Sequence, residues 1–436
     1  MMKFISFLHK NVYNYSLSKK TKQLKLIDYS NKTNVLEYQK SKLFHIVELA
    51  QKSIPYYRNS KKISDLNFSY GEFQKIPLLT KDIIREEGSS LINTSYSKKN
   101  QVFLNTSGGS TGEPVSFYQT INQVKAGLAN YYYGLSLNHV NIYEKSVDLW
   151  GAQRDMYNSG SKFNIKDFLH NKVSLNTFVL SDEIISDYIT RMNNIKPHFI
   201  KAYVHSIFEI SKYIIANNIE IKFKPIIHCT TGPLYPEMKK LIKKAFNEAH
   251  VYNFYGSREV SAIASELADA SGLLVFFDNV FLEILNEDGT QVQYGEEGEV
   301  VVTTLNNFYM PLLRYKIGDR AVKGDDLEFG TLNLMQVTGR TLGVIHKNDG
   351  TKIDGQFFTS LFFNKNTIKG FQMVQKSISL IELKIVKTIN FNQDELNEVV
   401  SLIKDNLPNC DVHVVFVEKI DLSSTGKLMY VYSELS

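Results

Sequence analysis

From about residue 145 to 265 the chain alternates short apolar runs, bounded by Gly or Pro, with longer amphipathic ones. Val147–Gly151, Pro197–Tyr203 and Pro225–Thr231 read as strands. Ser181 opens a helix with acids in its first turn, Ser206 to Ala216 reads as another, and Pro236 starts a third that runs to Glu248. Few architectures accept that order. Strands separated by helices run parallel, because a parallel connection needs a crossover of a dozen or more residues, and the result is an α/β sheet. Ligands of such sheets collect outside the carboxyl ends of the strands, at a switch point, so functional residues are expected just past strand ends.

The rest of the chain divides around that unit. At 436 residues it exceeds one ordinary core, and two or three domains are expected. Residues 1 to about 30 are basic and irregular and read as a peripheral helical segment. Leu36, Leu43, Ile46, Val47 and Ala50 then mark a helix from Asn34 to Ser53. Pro55 ends it, since the residue before a proline is pushed out of the α region. Thr80 caps a further helix whose Asp82 sits at the positive end of the helix dipole. Asn122 to Leu137 reads as a helix rich in Ala, Gly and Tyr. From Leu273 the texture becomes β-rich, with strands at Leu273–Phe277, Val280–Leu285, Val300–Thr304 and Leu312–Tyr315. After Thr338-Gly339-Arg340 the chain starts afresh as a small α+β unit. Its strands run to about 353, a helix follows, and then strands at Phe371–Gln375 and Ile378–Ile385. A helix at Gln393–Leu407, a strand at Val412–Val417 and a last strand after Lys427 complete it. The expected division is 1–100, a helical segment packed on the large domain, then a large domain over 101–339 and a small domain over 340–436.

Composition works by exclusion. An apolar fraction of 43% and a charged fraction of 22% are those of an ordinary globular protein. A net charge of +5, spread without dense basic blocks, argues against nucleic acid or a membrane surface as partner. The two cysteines, Cys229 and Cys410, lie far apart with no His cluster, which argues against a zinc site or a disulfide framework. No apolar run approaches the ~20 residues of a membrane span. Phe4–Leu8 is too short for a secretory signal, so a cytoplasmic protein is the expectation.

One stretch stands out chemically. Asn105-Thr106-Ser107-Gly108-Gly109-Ser110-Thr111-Gly112-Glu113-Pro114 lies between strand-like runs at Gln101–Leu104 and Val115–Gln119. Glycines let successive backbone N–H groups turn toward one point, and the hydroxyls add donors there, which suits an anion such as a nucleotide phosphate. The spacing is not that of a Walker loop, and taken alone a Ser/Gly-rich surface hairpin has the same composition. Four later pieces are each ordinary loop chemistry in isolation: Thr230-Thr231-Gly232-Pro233, Asn253–Glu259 at a strand end running into a helix, Arg314–Asp319, and the pair Thr338-Gly339-Arg340 with Ser424-Thr425-Gly426-Lys427. Together they fit one task. A tyrosine stacks on a purine, an aspartate accepts from ribose hydroxyls, a glutamate offers a hard oxygen to Mg²⁺, and a lysine meets charge building on a phosphate.

In that order the motifs resemble the core motifs of the adenylate-forming superfamily, and the branch is similar to the phenylacetate–CoA ligase-like proteins, among them the CapK-like relatives of capsule and O-antigen gene clusters. Ile54-Pro55-Tyr56-Tyr57-Arg58, Ile76–Lys81, Lys196-Pro197 and Phe371–Gln375 support that branch, and the likeness spans roughly 40 to 435. It implies an ATP- and carboxylate-binding large domain hinged to a mobile small domain. It implies that Thr106, Ser107, Gly108, Gly109, Ser110, Thr111 and Gly112 hold the β- and γ-phosphates of ATP. Gly232 and Pro233 would lie along the adenine, with Tyr255 and Gly256 on its other face. Glu259 would bind Mg²⁺, Asp319 the ribose, and Arg340 the ribose or phosphate at the hinge. Lys427 would reach in for adenylation. Leu342-Gly343 stands where the family hinge carries an acidic or Lys residue, and His346 stands near a lysine that meets the thiol cofactor. The implied acceptor is therefore CoA, a carrier protein or other thiol, or an amine such as an amino sugar. A nucleotide-binding relative without catalysis and a phosphotransferase are the rival readings. Trp150 and Arg154 are candidates for an acyl pocket, although packing alone accounts for Trp150, and Cys229 is expected as a buried strand residue.

Overall fold

The computed structural model describes residues 15–27, 31–58, 68–98, 101–107, 115–141, 143–150, 171–177, 180–268, 271–340, 344–349, 352–362, 365, 367–421 and 428–435. The N-terminal part is helical, with α1 (Tyr15–Leu26), α2 (Lys32–Ser53), α3 (Pro55–Arg58), α4 (Tyr70–Phe73) and α5 (Lys81–Glu87). The local signals act as expected. Ile54, ahead of Pro55, leaves the helix in an extended conformation, and Thr80 accepts from the backbone N–H of Ile83 to cap α5. A hairpin of β1 (Val102–Thr106) and β2 (Ser116–Thr120) leads into α6 (Ile121–Leu137), whose N-cap is Thr120.

The parallel unit follows. It comprises β3 (Ser146–Trp150), β4 (Lys172–Asn176), α7 (Asp182–Ile195), β5 (Phe199–Tyr203), α8 (Val204–Ala216), β6 (Ile226–Thr230), α9 (Pro236–Ala245) and β7 (His250–Ser257). Its β-rich continuation is β8 (Ser261–Glu266), β9 (Leu273–Val275), β10 (Val280–Leu285), β11 (Glu297–Thr304), β12 (Tyr315–Lys323) and β13 (Asn333–Arg340). These are one eleven-stranded sheet, ordered β10-β11-β12-β13-β9-β8-β7-β6-β5-β3-β4. The strand β7 joins the two halves. Its first half pairs parallel with β6, Ile226↔His250 through Cys229↔Asn253, and its second half pairs antiparallel with β8, Phe254↔Ser265 through Ser257↔Ser261.

That hairpin corrects one expectation. The stretch after Glu259, Ser-Ala-Ile-Ala-Ser-Glu, has helical propensity, and Asn253–Glu259 was expected to enter a helix. Tertiary pairing overrides the propensity: β8 is held between β7 and β9, with Ala262, Ile263 and Ala264 buried. A second correction concerns Leu312–Tyr315. The strand begins only at Tyr315 and runs to Lys323, because Arg314 takes a left-handed φ of 48° that breaks the extended chain. The expected Leu273–Phe277 strand likewise stops at Val275.

After β13 come β14 (Val344–His346), β15 (Lys352–Asp354), α10 (Gly355–Ser360), β16 (Ile368–Ser377), β17 (Leu380–Lys387), α11 (Gln393–Asn406), β18 (Asp411–Phe416) and β19 (Val431–Ser433). The last four strands make a separate sheet, ordered β18-β17-β16-β19, with its own core of Phe358, Met373, Ile381, Leu383, Leu396, Val399 and Ile403. A second core fills the face of the parallel strands that carries α7, α8 and α9, with Leu149, Ile200, Ala202, Ile227 and Cys229 fully buried. Burial raises the Cys229 thiol pKa far above its usual value, as befits a packed strand residue and not a nucleophile.

Candidate active site

The Ser/Gly loop is closed at its neck. The backbone N–H of Ser107 donates to the Val115 carbonyl at 2.9 Å, and the Val115 N–H donates to the Ser107 hydroxyl oxygen at 2.9 Å. Thr106 pairs with Ser116 in the β1–β2 ladder, and its N–H donates to the Asn105 side chain. Gly108, Gly109, Ser110, Thr111 and Gly112 lie outside the described residues.

A chain of amides ties this neck to the second motif. Asn105 Nδ2 donates to Gln119 Oε1 at 3.1 Å, and Gln119 Nε2 donates to the carbonyls of both Arg258 and Glu259 at 3.1 Å. The turn bearing Glu259 is fixed from its other side by Asn279, whose amide donates to Val260 O at 2.9 Å and Ala262 O at 2.6 Å. Gln123 on α6 donates to Val260 O and to Asn279 Oδ1. Glycine is required at the start of the turn, since a Cβ on Gly256 would stand 2.6 Å from the Ser261 carbonyl oxygen.

Three motif side chains converge here. Tyr255, Glu259 and Asp319 are each 8% exposed. The Tyr255 hydroxyl donates to Asp319 Oδ2 at 2.8 Å, and the Tyr315 hydroxyl reaches Glu259 Oε1 at 3.5 Å. Register brings in a fourth position, because Asp319 on β12 stands opposite Arg340 on β13. The side chain of Arg340 is outside the described residues, as is Lys427. Gly232 and Pro233 follow β6, and the pairing Cys229↔Asn253 sets their loop beside Tyr255-Gly256 at the same sheet edge. Thr231 enters that loop at φ 68°, a left-handed conformation rare for a β-branched residue. The structure thus assembles residues 106–107, 232–233, 255–259 and 319 around the point where the sheet turns from parallel to antiparallel.

The supporting residues were not legible beforehand. Gln119, Gln123, Asn130 and Asn279 are buried amides whose only sequence signal is polarity where apolar residues would serve a core. One step further out, Asp278 accepts from Tyr38 at 2.7 Å, Lys42 at 2.8 Å and Asn130 at 3.3 Å, and Lys20 lies 3.3 Å away. Burial raises its pKa, but the Lys42 and Lys20 ammonium groups outweigh that and hold it below the usual carboxylate range. This node fastens α1 and α2 to the turn that carries Asn279. The main chain of His346 is held by Gln375: its backbone N–H donates to Gln375 Oε1 at 2.9 Å, and Gln375 Nε2 donates to its backbone carbonyl at 2.7 Å. Arg154 lies outside the described residues. Trp150 packs edge-on against Tyr203 with ring centroids 4.4 Å apart.

Among the described residues no group of three or more His, Cys, Asp or Glu forms a metal cluster, and no helix is long and apolar enough to cross a membrane. Comparison with known proteins places the architecture. Residues 345–434 match the family of the CapK C-terminal domain. Over 417 residues, 92% of this chain and 90% of the relative, the sequence is 25% identical to Protein CapK of Staphylococcus aureus. Among solved structures, 2-hydroxyisobutyryl-CoA ligase in a post-adenylation complex is similar with a TM-score of 0.71, covering 92% of this chain and 89% of that one at 15% identity. Anthranilate CoA ligase AuaEII in complex with anthranoyl-AMP gives 0.55, covering 84% and 70% at 12% identity.

Proposed function

The chain has the adenylate-forming fold and the CapK-like character that its motifs resemble, and on that basis we propose that it is an AMP-forming ligase. A carboxylic acid attacks the α-phosphorus of ATP through a carboxylate oxygen, the bond from that phosphorus to pyrophosphate breaks, and an acyl-adenylate results. The acyl group then passes to a thiol, CoA or a carrier protein, or to an amine such as an amino sugar, with AMP leaving. Both the 2-hydroxyisobutyryl-CoA and anthranilate ligases carry acyl-AMP in their structures. Resemblance to proteins of capsule and O-antigen clusters leads us to place the reaction in surface-polysaccharide assembly, in the cytoplasm.

The observation that carries this reading is the convergence of the phosphate-loop neck, Tyr255, Glu259 and Asp319, joined through Gln119. In our reading the loop from Thr106 to Gly112 holds the β- and γ-phosphates, and Tyr255 and the Gly232-Pro233 backbone sandwich the adenine. Asp319, oriented by the Tyr255 hydroxyl, accepts from the ribose. The donor set around Glu259 fits magnesium, which commonly takes one or two carboxylates plus substrate phosphates instead of an all-protein cage. Magnesium when bound would neutralise phosphate charge there. Arg340, opposite Asp319, and Lys427 complete the site from the hinge and from the small domain, which we take to begin near residue 340. The test is carboxylate-dependent exchange of labelled pyrophosphate into ATP. Release of ADP in place of AMP and pyrophosphate would assign a phosphotransferase, and ATP binding without exchange across a broad acid panel would assign a non-catalytic relative.

A further inference from the structure

Parallel strands covered on both faces ordinarily read as continuous apolar runs. The face of β3, β5, β6 and β7 that meets α7–α9 obeys this, but the face toward α6 does not. Register sets Ser174, Asp148, Lys201, His228 and Tyr252 side by side across five strands, through the pairs Asp148↔Ser174, Asp148↔Lys201, Lys201↔His228 and His228↔Tyr252. Side chains at paired positions share a face, so this is one polar row across the middle of a sheet.

The row is organised. Lys172 Nζ lies 3.1 Å from Asp148 Oδ2. The Lys201 ammonium sits 4.6 Å from the ring centre of Trp150 and 5.0 Å from that of Tyr131, the α6 residue that roofs the row. His228 is wholly buried, stacked on Phe254 at 4.7 Å, with Nδ1 3.0 Å from the Tyr252 hydroxyl. Among the described residues its Nε2 is buried with no hydrogen-bond partner. Burial, and then the nearby Lys201 charge, push the imidazole pKa well down, so the ring is neutral, while burial raises Tyr252 well above its usual value and keeps its hydroxyl protonated. Assigning the Tyr252 hydroxyl as the donor to Nδ1 puts the proton of the neutral ring on Nε2, on the side of the sheet that Tyr131 of α6 covers.

The row also has the right position. Trp150, Tyr203, Thr230 and Phe254 stand two residues further along the same strands on the same face, about 7 Å nearer their carboxyl ends. The Gly232-Pro233 and Tyr255-Gly256 segments begin just beyond. An acid activated at that edge would extend its tail over the aromatic rim onto Lys201 and His228.

Resting on the adenylation reading, we propose that Lys201 and His228 Nε2 together take a second oxygen group, a carboxylate or a hydroxyl, on a short acid, and so select an oxygenated acid over a purely aliphatic one. Both are specificity-determining residues that act on the far end of the substrate and not on the reacting atoms.

The experiment uses the full-length chain and a matched set: butyrate, 4-hydroxybutyrate, 3-hydroxybutyrate and succinate. Pyrophosphate exchange should favour an oxygenated acid over butyrate by at least about tenfold in kcat/KM, the behaviour of a site built to pair with a polar substrate group. Which of the hydroxy acids or the dicarboxylate wins identifies the group. Lys201→Met and His228→Phe should each erase most of that preference while butyrate kinetics and the KM for ATP change by less than about twofold. His228→Gln, whose amide N–H can stand near the position of Nε2, should restore part of it. Independently of turnover, NMR of histidine-labelled protein with a non-hydrolysable ATP analogue should show the His228 ring signals moving when the favoured acid is added. Butyrate used as well as its oxygenated counterparts, variants that lower every acid alike, or a His228 signal that no acid moves would overturn the proposal. Oxygenated acids that move His228 without any exchange would keep the pocket and remove the adenylation reading instead.

Discussion

Two polar clusters on the same large sheet are treated in opposite ways. On β10 Glu283 is 0% exposed and meets Arg314, itself 5% exposed, in a two-pronged pair at 3.1 and 3.2 Å. The Tyr70 hydroxyl donates to the same carboxylate at 2.8 Å, and Arg314 donates onward to the carbonyls of Gln74 and Ile76. Burial raises the Glu283 pKa, while Arg314 and Tyr70 oppose that by bonding to the charged form. Both carboxylate oxygens are used, and the product is attachment: the 70–79 segment is fastened to the β-rich half of the sheet. On β5 and β6, Lys201 and His228 are set among aromatic rings, and among the described residues the buried Nε2 of His228 has no partner. A satisfied buried pair fixes the scaffold, whereas a buried donor left unpaired, in a row leading to a strand edge, is a place for a ligand.

Variants at the two places should therefore fail differently. The largest effect is expected from Arg314→Met, which strands Glu283 as an unpaired buried carboxylate and should cost about 3–5 kcal/mol. Chemical denaturation would show the unfolding transition at lower denaturant, with acid preference unchanged in whatever fraction folds. Little loss of stability would mean that the pair is not the fastening described. Next comes Lys427→Ala, expected to slow pyrophosphate exchange by at least ~10²–10³-fold for every acid alike, the scale of removing one transition-state charge stabiliser, with ATP affinity little changed. That uniform loss is the reference against which selectivity is read, and undiminished exchange would remove Lys427 from the reaction.

The Lys201→Met and His228→Phe variants occupy the middle of the range, with acid preference falling by about tenfold; His228→Phe also leaves the buried Tyr252 hydroxyl without its ring partner and should cost about 1–3 kcal/mol, less than Arg314→Met. An unfolding shift as large as that of Arg314→Met would place them with the scaffold and dissolve the contrast. The smallest effect is expected from Tyr255→Phe. It removes one hydrogen bond to Asp319 and keeps the ring, so the KM for ATP should rise by roughly 3–10-fold with acid preference intact. A change in acid preference here would mean that nucleotide and acid subsites are not separable along β7.

Much of the architecture was legible because it is written locally. Pro55, Thr80, Ser181 and Pro236 begin or end helices through their own backbone chemistry, and the structure has those boundaries within a residue or two. The alternation of β3, β5 and β6 with the helices after them was equally clear, whereas β4 (Lys172–Asn176) was not read. Nor was the Ser261–Glu266 strand, since its Ala-rich sequence favours a helix and only the ladder to β7 and β9 makes it extended. For the candidate site, the motif positions could be named, but Gln119 could not be: its function is to span from the β2 hairpin to Arg258 and Glu259, some 140 residues away in sequence.

The sequence by itself determined the order of elements apart from β4 and β8, the fold they compose, and the motifs that sit just past strand ends, because periodicity, caps and turn residues act over a few neighbours. Only the tertiary structure decided which residues face one another. Asp148, Lys201, His228 and Tyr252 lie in four separate segments, each reading as an ordinary short strand with one polar interruption. They become one row because strand register is set by the packing of both sheet faces, which no single segment encodes. The same holds where Asp319 meets Tyr255 and stands opposite Arg340.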